Sequence, residues 1–323
     1  MMDENFGRLP RFAWYTKQPI CDNTLDNAQL ETRCPLDNGR HFDASVPLRY
    51  SAGKLDQLPA ELLIHILQQI DIPSLTTFHR VNRRAMELVD GLFYYKILVK
   101  HCPNIIRAIL SVQADSFDCG TLYKTLSTEQ CSSPACNRFG DHLYLVDCRR
   151  VCYFCYTREP EFFPLTTQQA SAWFTPNLEE RPEATTSRQV LRAVKPPSIL
   201  SLPGRYCSAW GRDGGNLARK RLELWDRWAV IHGPAKIGLP KLDKTTREPR
   251  RFMAIITAPY LLDSGRRVDW GYFCTGCKEE KEEETKHFRI KYTKAGLVEH
   301  LARYGPVEEM PRIPGRFTHA TPI

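Results

Sequence analysis

The sequence predicts an α+β chain. A compact helical module over residues 51–115 leads into a small, irregular α+β region over 116–323. Three observations carry this reading. Residues 55–98 repeat apolar side chains at a 3.6-residue period, residues 131–155 hold two close cysteine pairs, and residues 200–275 break short apolar runs with Gly and Pro. Residues 1–50 carry many Asn, Asp and Pro and no sustained period, which reads as a flexible or loosely attached arm.

Each helix of the module has a local reason. Pro59 suits a first helical turn, where its missing N–H is not needed. From there Leu62, Leu63, Ile66, Leu67 and Ile70 share one face, and Ile64 lies off that stripe. Pro73 and Ser74 restart the chain as a second helix with a stripe of Leu75, Phe78, Val81, Ala85, Leu88 and Val89. Gly91 follows, where a left-handed closing residue is expected. Leu92, Phe93, Tyr95, Ile97 and Leu98 begin a third apolar segment, and Asn104 to Leu110 is a further helical candidate. A unit of roughly 40 residues rarely encloses a self-sufficient core, so part of this surface meets another surface.

The segment resembles an F-box, the short three-helix module that binds the Skp-family adaptor of cullin-based ubiquitin ligases. The resemblance lies in Leu58-Pro59-Ala60-Glu61-Leu62-Leu63, Ile66-Leu67, Ile72-Pro73-Ser74-Leu75, Val81-Asn82-Arg83-Arg84 and the run Leu92-Phe93-Tyr94-Tyr95. Phe93 or Tyr94 stands where the family often has Trp. The resemblance implies adaptor binding through Pro59, Leu62, Leu63, Ile66, Leu67 and Leu75. Some of these six must instead hold the helices together, and the sequence does not separate the two groups.

Composition bounds the compartment. Of 323 residues 42% are apolar and 25% charged, an ordinary globular balance. No run approaches the ~20 apolar residues of a membrane span, and the start has no apolar stretch of the signal-peptide kind. Twelve cysteines then point to metal sites and free thiols inside the cell, cytoplasm or nucleus, more than to disulfides. Charge is uneven: residues 181–251 hold 16 Lys and Arg against 6 Asp and Glu, a net +10 against +8 for the whole chain. Such a stretch suits solvated basic loops or an acidic partner. No aromatic platform for stacking bases accompanies it, so nucleic acid is not the expected partner. The run from Lys278 to Glu284 reads as a solvated loop, and Pro176, Pro182, Pro196 and Pro197 place a linker or long loop near 176–200.

Cysteine spacing supplies the chemistry. Cys131 and Cys136 are separated by four residues, Cys152 and Cys155 by two, and fifteen lie between the pairs. This is close to zinc-ribbon spacing, in which short loops set two thiolates on each side of a tetrahedral ion about 2.3 Å away. Leu143 to Val146 can return the chain as a strand, with His142 and Cys148 as rival ligands. All four positions would be filled by protein, making the zinc structural and closed. Cys274 and Cys277 form a second pair around Gly276. His300 is the expected third ligand, His287 a weaker candidate, and a joint site with Cys152 and Cys155 stays open. Short strands are expected from 200 to 275, a helix around Leu217–Trp228, and a last helix from Thr293 to about Tyr304, closed by Gly305-Pro306.

The chain is also similar to a group of fungal F-box proteins with cysteine-rich C-terminal regions. The similarity lies in Cys148 to Cys155, Phe163 to Thr166, Leu202 to Tyr206, Trp270 to Cys277 and Glu299-His300-Leu301. Many members carry a Cys shortly after that His, where Tyr304 stands here. The resemblances imply a non-catalytic substrate receptor. It would join a Skp-family adaptor, and through it a cullin, to an unknown protein target, with no membrane partner. A zinc-stabilised nucleic-acid-binding or other interaction protein is the alternative, and it leaves the helical module unexplained. Neither a nucleophile elbow, a phosphate loop nor a His-Glu-x-x-His helix is present, and the two C-x2-C pairs lie too far apart for a RING.

Overall fold

The computed structural model describes residues 6–17, 22–36, 51–173, 187–207, 216–232, 249–278 and 287–320. The acidic-basic run after Lys278 and the first part of the expected 176–200 linker, residues 176–186, lie outside them. The described parts of the N-terminal arm, 6–17 and 22–36, pack against the rest of the chain. A two-residue strand, β1 (Trp14–Tyr15), joins a sheet, and a short helix, α1 (Leu30–Arg33), buries Leu30. Leu25 is fully buried, and Asp22 meets Arg289 in a buried ion pair and accepts from the Tyr156 hydroxyl at 2.9 Å. Polar composition hid these anchors, because a few well-spaced apolar and acidic residues suffice to fix an extended segment.

Six helices follow. They are α2 (Ala60–Gln68), α3 (Ile72–His79), α4 (Arg83–Asp90), α5 (Phe93–His101), α6 (Pro103–Val112) and α7 (Cys119–Leu126). The single second helix expected over 73–91 is two helices, α3 and α4. Asn82 is the cause: its backbone is extended and its side chain accepts from the Ala85 N–H at 2.8 Å, starting a new helix. Asp71 caps α3 and Asp118 caps α7 in the same way. The break turns Val81 outward and lets α3 and α4 pack on each other, burying Leu75, Ala85 and Val89. Gly91 is right-handed (φ −73°), so no left-handed closing residue is needed there.

The helices share one core with the region that follows. Leu63, Leu67, Leu98, Ile106 and Leu122 belong to the same buried cluster as Leu143, Tyr144, Phe154 and Ile256. Helix α7 packs on α5, so the helical run continues past residue 115. The module's excess apolar surface is therefore met in part by the chain itself.

Beyond α7 the strands are short. A hairpin of β2 (His142–Tyr144) and β3 (Arg149–Val151) leads into α8 (Tyr153–Arg158), β4 (Leu165–Thr166), α9 (Thr167–Trp173) and α10 (Ser187–Val194). Next come β5 (Ser198–Leu200), β6 (Gly204–Tyr206), β7 (Asn216–Ala218), β8 (Glu223–Trp225) and α11 (Arg227–His232). The helix expected around Leu217–Trp228 is thus two short strands and a loop, with helix only from Arg227. Leu224 and Trp225 are buried in β8, paired on both sides in the order β4-β8-β5, and the Asp226 carboxylate accepts from the Ala229 N–H to start α11 only there.

The chain closes with β9 (Ile255–Thr257), β10 (Tyr260–Leu262), β11 (Arg267–Asp269), β12 (Phe273–Cys274), α12 (Lys294–Tyr304), β13 (Val307–Glu309) and β14 (Phe317–His319). Strand β9 pairs with the free edge of β2, giving the antiparallel order β3-β2-β9, and β1 pairs with β12. Thr293 caps α12 through the Gly296 N–H, and Gly305 ends it with φ 91°. No described helix is long and apolar enough to cross a membrane.

Candidate metal centres and docking face

Cys131, Cys136, Cys152 and Cys155 converge on one point, their sulfurs all within 4.8 Å of one another and all four residues buried. The β2–β3 hairpin achieves this by carrying the chain away from the first pair and back to the second. Cys152 occupies the cap position of α8 and Cys155 its first turn. The Cys152 N–H points at the Cys131 sulfur (3.4 Å), and the Arg138 guanidinium lies 4.0 Å from the Cys136 sulfur. At Gly140 a Cβ would sit 2.6 Å from the Arg150 side chain, so only glycine lets that loop close over the hairpin.

Their electrostatics set these thiols apart. Cys131 is held far below the ordinary thiol range, first by the Cys152 thiol and then by that of Cys155, both donating to its sulfur. The same contact with Cys131 drives Cys152 strongly up, and Cys155 reaches about 12. A divalent cation at this point would displace the protons of thiols placed so close together. Cys102, Cys119 and Cys148 are also pushed up to about 12, but by burial first, and act as plain buried thiols. Cys148 faces Thr125 and the His142 ring meets Asp141 at 2.8 Å, which removes both rivals from the site.

Cys274, Cys277, His300 and His319 form the second convergence. The Cys277 sulfur lies 3.3 Å from Nε2 of both His300 and His319, those two nitrogens are 3.3 Å apart, and Cys274 is 3.4 Å from His319. A tetrahedral ion with zinc-like bonds has edges of about 3.8 Å between sulfurs and about 3.3–3.6 Å where nitrogen takes part. The first centre shows 3.7 Å between Cys136 and Cys152. Both donor sets therefore fit a tetrahedral ion. His319 Nδ1 faces the Gly305 carbonyl at 2.9 Å, which makes Nδ1 the donor and leaves the Nε2 lone pair aimed at the centre.

His319 was not among the expected ligands. It sits in the terminal β13–β14 hairpin, 42 residues beyond Cys277, and no short spacing marks it. Two glycines bring it in. A Cβ on Gly305 would lie 2.2 Å from the Ala320 carbonyl, and one on Gly276 would lie 3.0 Å from the His319 ring. Tyr304, standing where the resembling proteins often have Cys, packs its ring 4.7 Å from His300. His287 packs on Tyr304 and stays out of the cluster, and the centre draws nothing from Cys152 or Cys155.

The third feature is apolar and outward. On α2, Leu63 and Leu67 are each 2% exposed, whereas Leu62 is 53% and Ile66 43% exposed. Leu58, Ile64, Val81 and Phe93 are exposed as well. Such a density of aliphatic and aromatic side chains in water marks a surface made for another surface.

Residues 55–96 match the family model of the F-box domain. The chain carries an F-box domain. No curated protein and no solved structure matches the chain. F-box domains typically bind Skp-family adaptors, and this one indicates a substrate-receptor role in a ubiquitin ligase of the Skp–cullin type. Within the F-box, burial divides the six expected adaptor contacts. Leu63, Leu67 and Leu75 are core residues, while Pro59, Leu62 and Ile66 face solvent. The period of 3.6 sets Leu62, Leu63, Ile66 and Leu67 on one stripe, and burial splits that stripe along its length.

Proposed function

We propose that the chain is a non-catalytic substrate-receptor subunit of a Skp/cullin ubiquitin ligase, working inside the cell. It docks the adaptor through Leu58, Pro59, Leu62, Ile66 and their exposed neighbours, and recruits a protein target through the region after residue 116. The observation that carries the reading is the outward apolar face of α2 inside an F-box match. Water offers no compensation for that surface, and burying a Leu of this kind is worth about 1.5–3 kcal/mol.

The cysteine-rich region serves this role as a rigid platform. Zinc fits both centres: Cys131, Cys136, Cys152 and Cys155 would hold one ion, and Cys274, Cys277, His300 and His319 the other. When bound, the ions cross-link distant segments, and four protein ligands at each leave no position for a substrate. The eleven described cysteines are all free, in keeping with a reducing compartment.

Co-expression of the full chain with a Skp-family adaptor and its cullin provides the test. The three should elute together in gel filtration, with about two zinc per chain by mass spectrometry. Separate elution would sink the receptor reading, and a metal-free folded protein would sink the zinc reading.

A further inference from the structure

We propose that the surface built by Lys195, Arg205 and the 217–222 crossover is a docking site for an acidic peptide with aliphatic anchors, the recognition element of the recruited target. This rests on the receptor reading above and gives it a substrate class. Residues 187–207 hold four Lys and Arg and residues 216–222 three more, with no Asp or Glu in either stretch, and all seven cations are exposed. A solvated face on an ordinary protein mixes both signs. The cations Lys195, Arg205, Arg219 and Lys220 instead set up a field for an anionic partner.

The pieces are adjacent. Arg205 on β6 lies directly opposite Leu217 on β7, so the two side chains share one face. The crossover from β7 to β8 carries Arg219, Lys220 and Arg221, and Leu222 donates its N–H to Ser201 Oγ at 2.9 Å. Arg221 donates to the Ser111 and Leu200 carbonyls, and Lys195 pairs with Asp115 at 3.1 Å. Both contacts therefore reach the C-terminal end of α6. They fix the two stretches on a common support.

Apolar side chains sit among the cations. Val194 is 40%, Leu217 48% and Leu222 37% exposed. Cations with aliphatics between them match a partner that alternates carboxylates with Leu or Val. Nucleic acid would ask for stacking aromatics, and Tyr206, the one aromatic in the two stretches, is buried. Charge complementarity therefore selects an acidic peptide.

The test uses the full chain and a fluorescein-labelled peptide of repeated Glu-Glu-Leu units, read by anisotropy. A Glu-Glu-Ser repeat and oligothymidylate serve as the other probes. The Leu-containing peptide should bind most tightly, and the triple variant Arg205→Glu, Arg219→Glu, Lys220→Glu should weaken it by at least about tenfold. Leu217→Ser, which keeps the charge, should weaken it severalfold. Arg221 is left alone because it holds the fold. Equal affinity for the Glu-Glu-Ser repeat, tighter binding of oligothymidylate, or indifference to the charge reversal would each overturn the proposal. Adaptor binding by the same variants should be unchanged, so loss of the peptide site and loss of the receptor role read out separately.

Discussion

The F-box face and the metal centres are mirror images in polarity. On α2, Leu62 and Ile66 stand in water where charge would be at ease. In the cysteine-rich region, thiols and imidazoles that readily carry or bind charge are buried, His319 alone being half-buried. Each arrangement is unfavourable for an isolated chain. Each would become favourable with the proposed partner, a protein surface in one case and a divalent cation in the other. The difference teaches where to look for partners: at residues whose polarity contradicts their burial.

Breaking a closed centre should have the largest effect. Cys152→Ser with Cys155→Ser removes two ligands from the main core, so metal content should fall from two to one and cooperative unfolding should be lost or severely weakened. Calorimetry with metal analysis reads both. A stable variant that keeps two ions would show that the four cysteines are only packed together.

Next in size is the contrast of neighbours on one helix. Leu63→Ala should cost about 2–5 kcal/mol of stability, as in other buried leucines. Leu62→Ala should stay within about 0.5 kcal/mol of wild type, since it empties no core position. Urea denaturation separates them, and similar losses would mean that α2 does not face outward as described.

His319→Ala sharpens the comparison between the two centres. Metal content should drop by one ion while the F-box core keeps its unfolding transition, because the second centre belongs to a separate cluster with Ala13, Leu297 and Val307. His287→Ala should leave both ions in place. Loss of metal from both variants alike would remove the specific role of His319.

A smaller effect is expected from pH. Asp147, Glu161 and Asp226 surround Arg149, with Tyr144 and Arg251 close by, and Asp147 is raised from 3.8 to about 7 by burial first and by Asp226 second. A raised carboxyl binds its proton more tightly in the folded state. Its contribution is therefore fully present below about 4 and lost as pH rises through about 7. Asp147→Asn should remove this decline, visible as a denaturation midpoint that varies less than wild type between acid and neutral pH. An unchanged slope would contradict it.

Much of this was legible in the sequence, and the rest failed for physical reasons. Cys131, Cys136, Cys152 and Cys155 are joined by a local hairpin, so their spacing carries their geometry. The α2 stripe and the Thr293-capped helix are equally local. His319 depends on two close backbone approaches at Gly276 and Gly305, which no short window encodes. Asn82 falls inside an apolar helical stripe by sequence, yet its side chain starts a new helix. The inward and outward leucines of α2 share one period, and only the packing of later segments tells them apart.

The most direct measurement is the affinity of the full chain for a Skp-family adaptor, wild type against Leu62→Asp with Ile66→Asp. Both side chains are exposed, so the variant should keep its metal content and unfolding temperature while adaptor binding falls by at least about a hundredfold. Undiminished binding by a folded double variant would mean that the apolar face of α2 is not the docking surface.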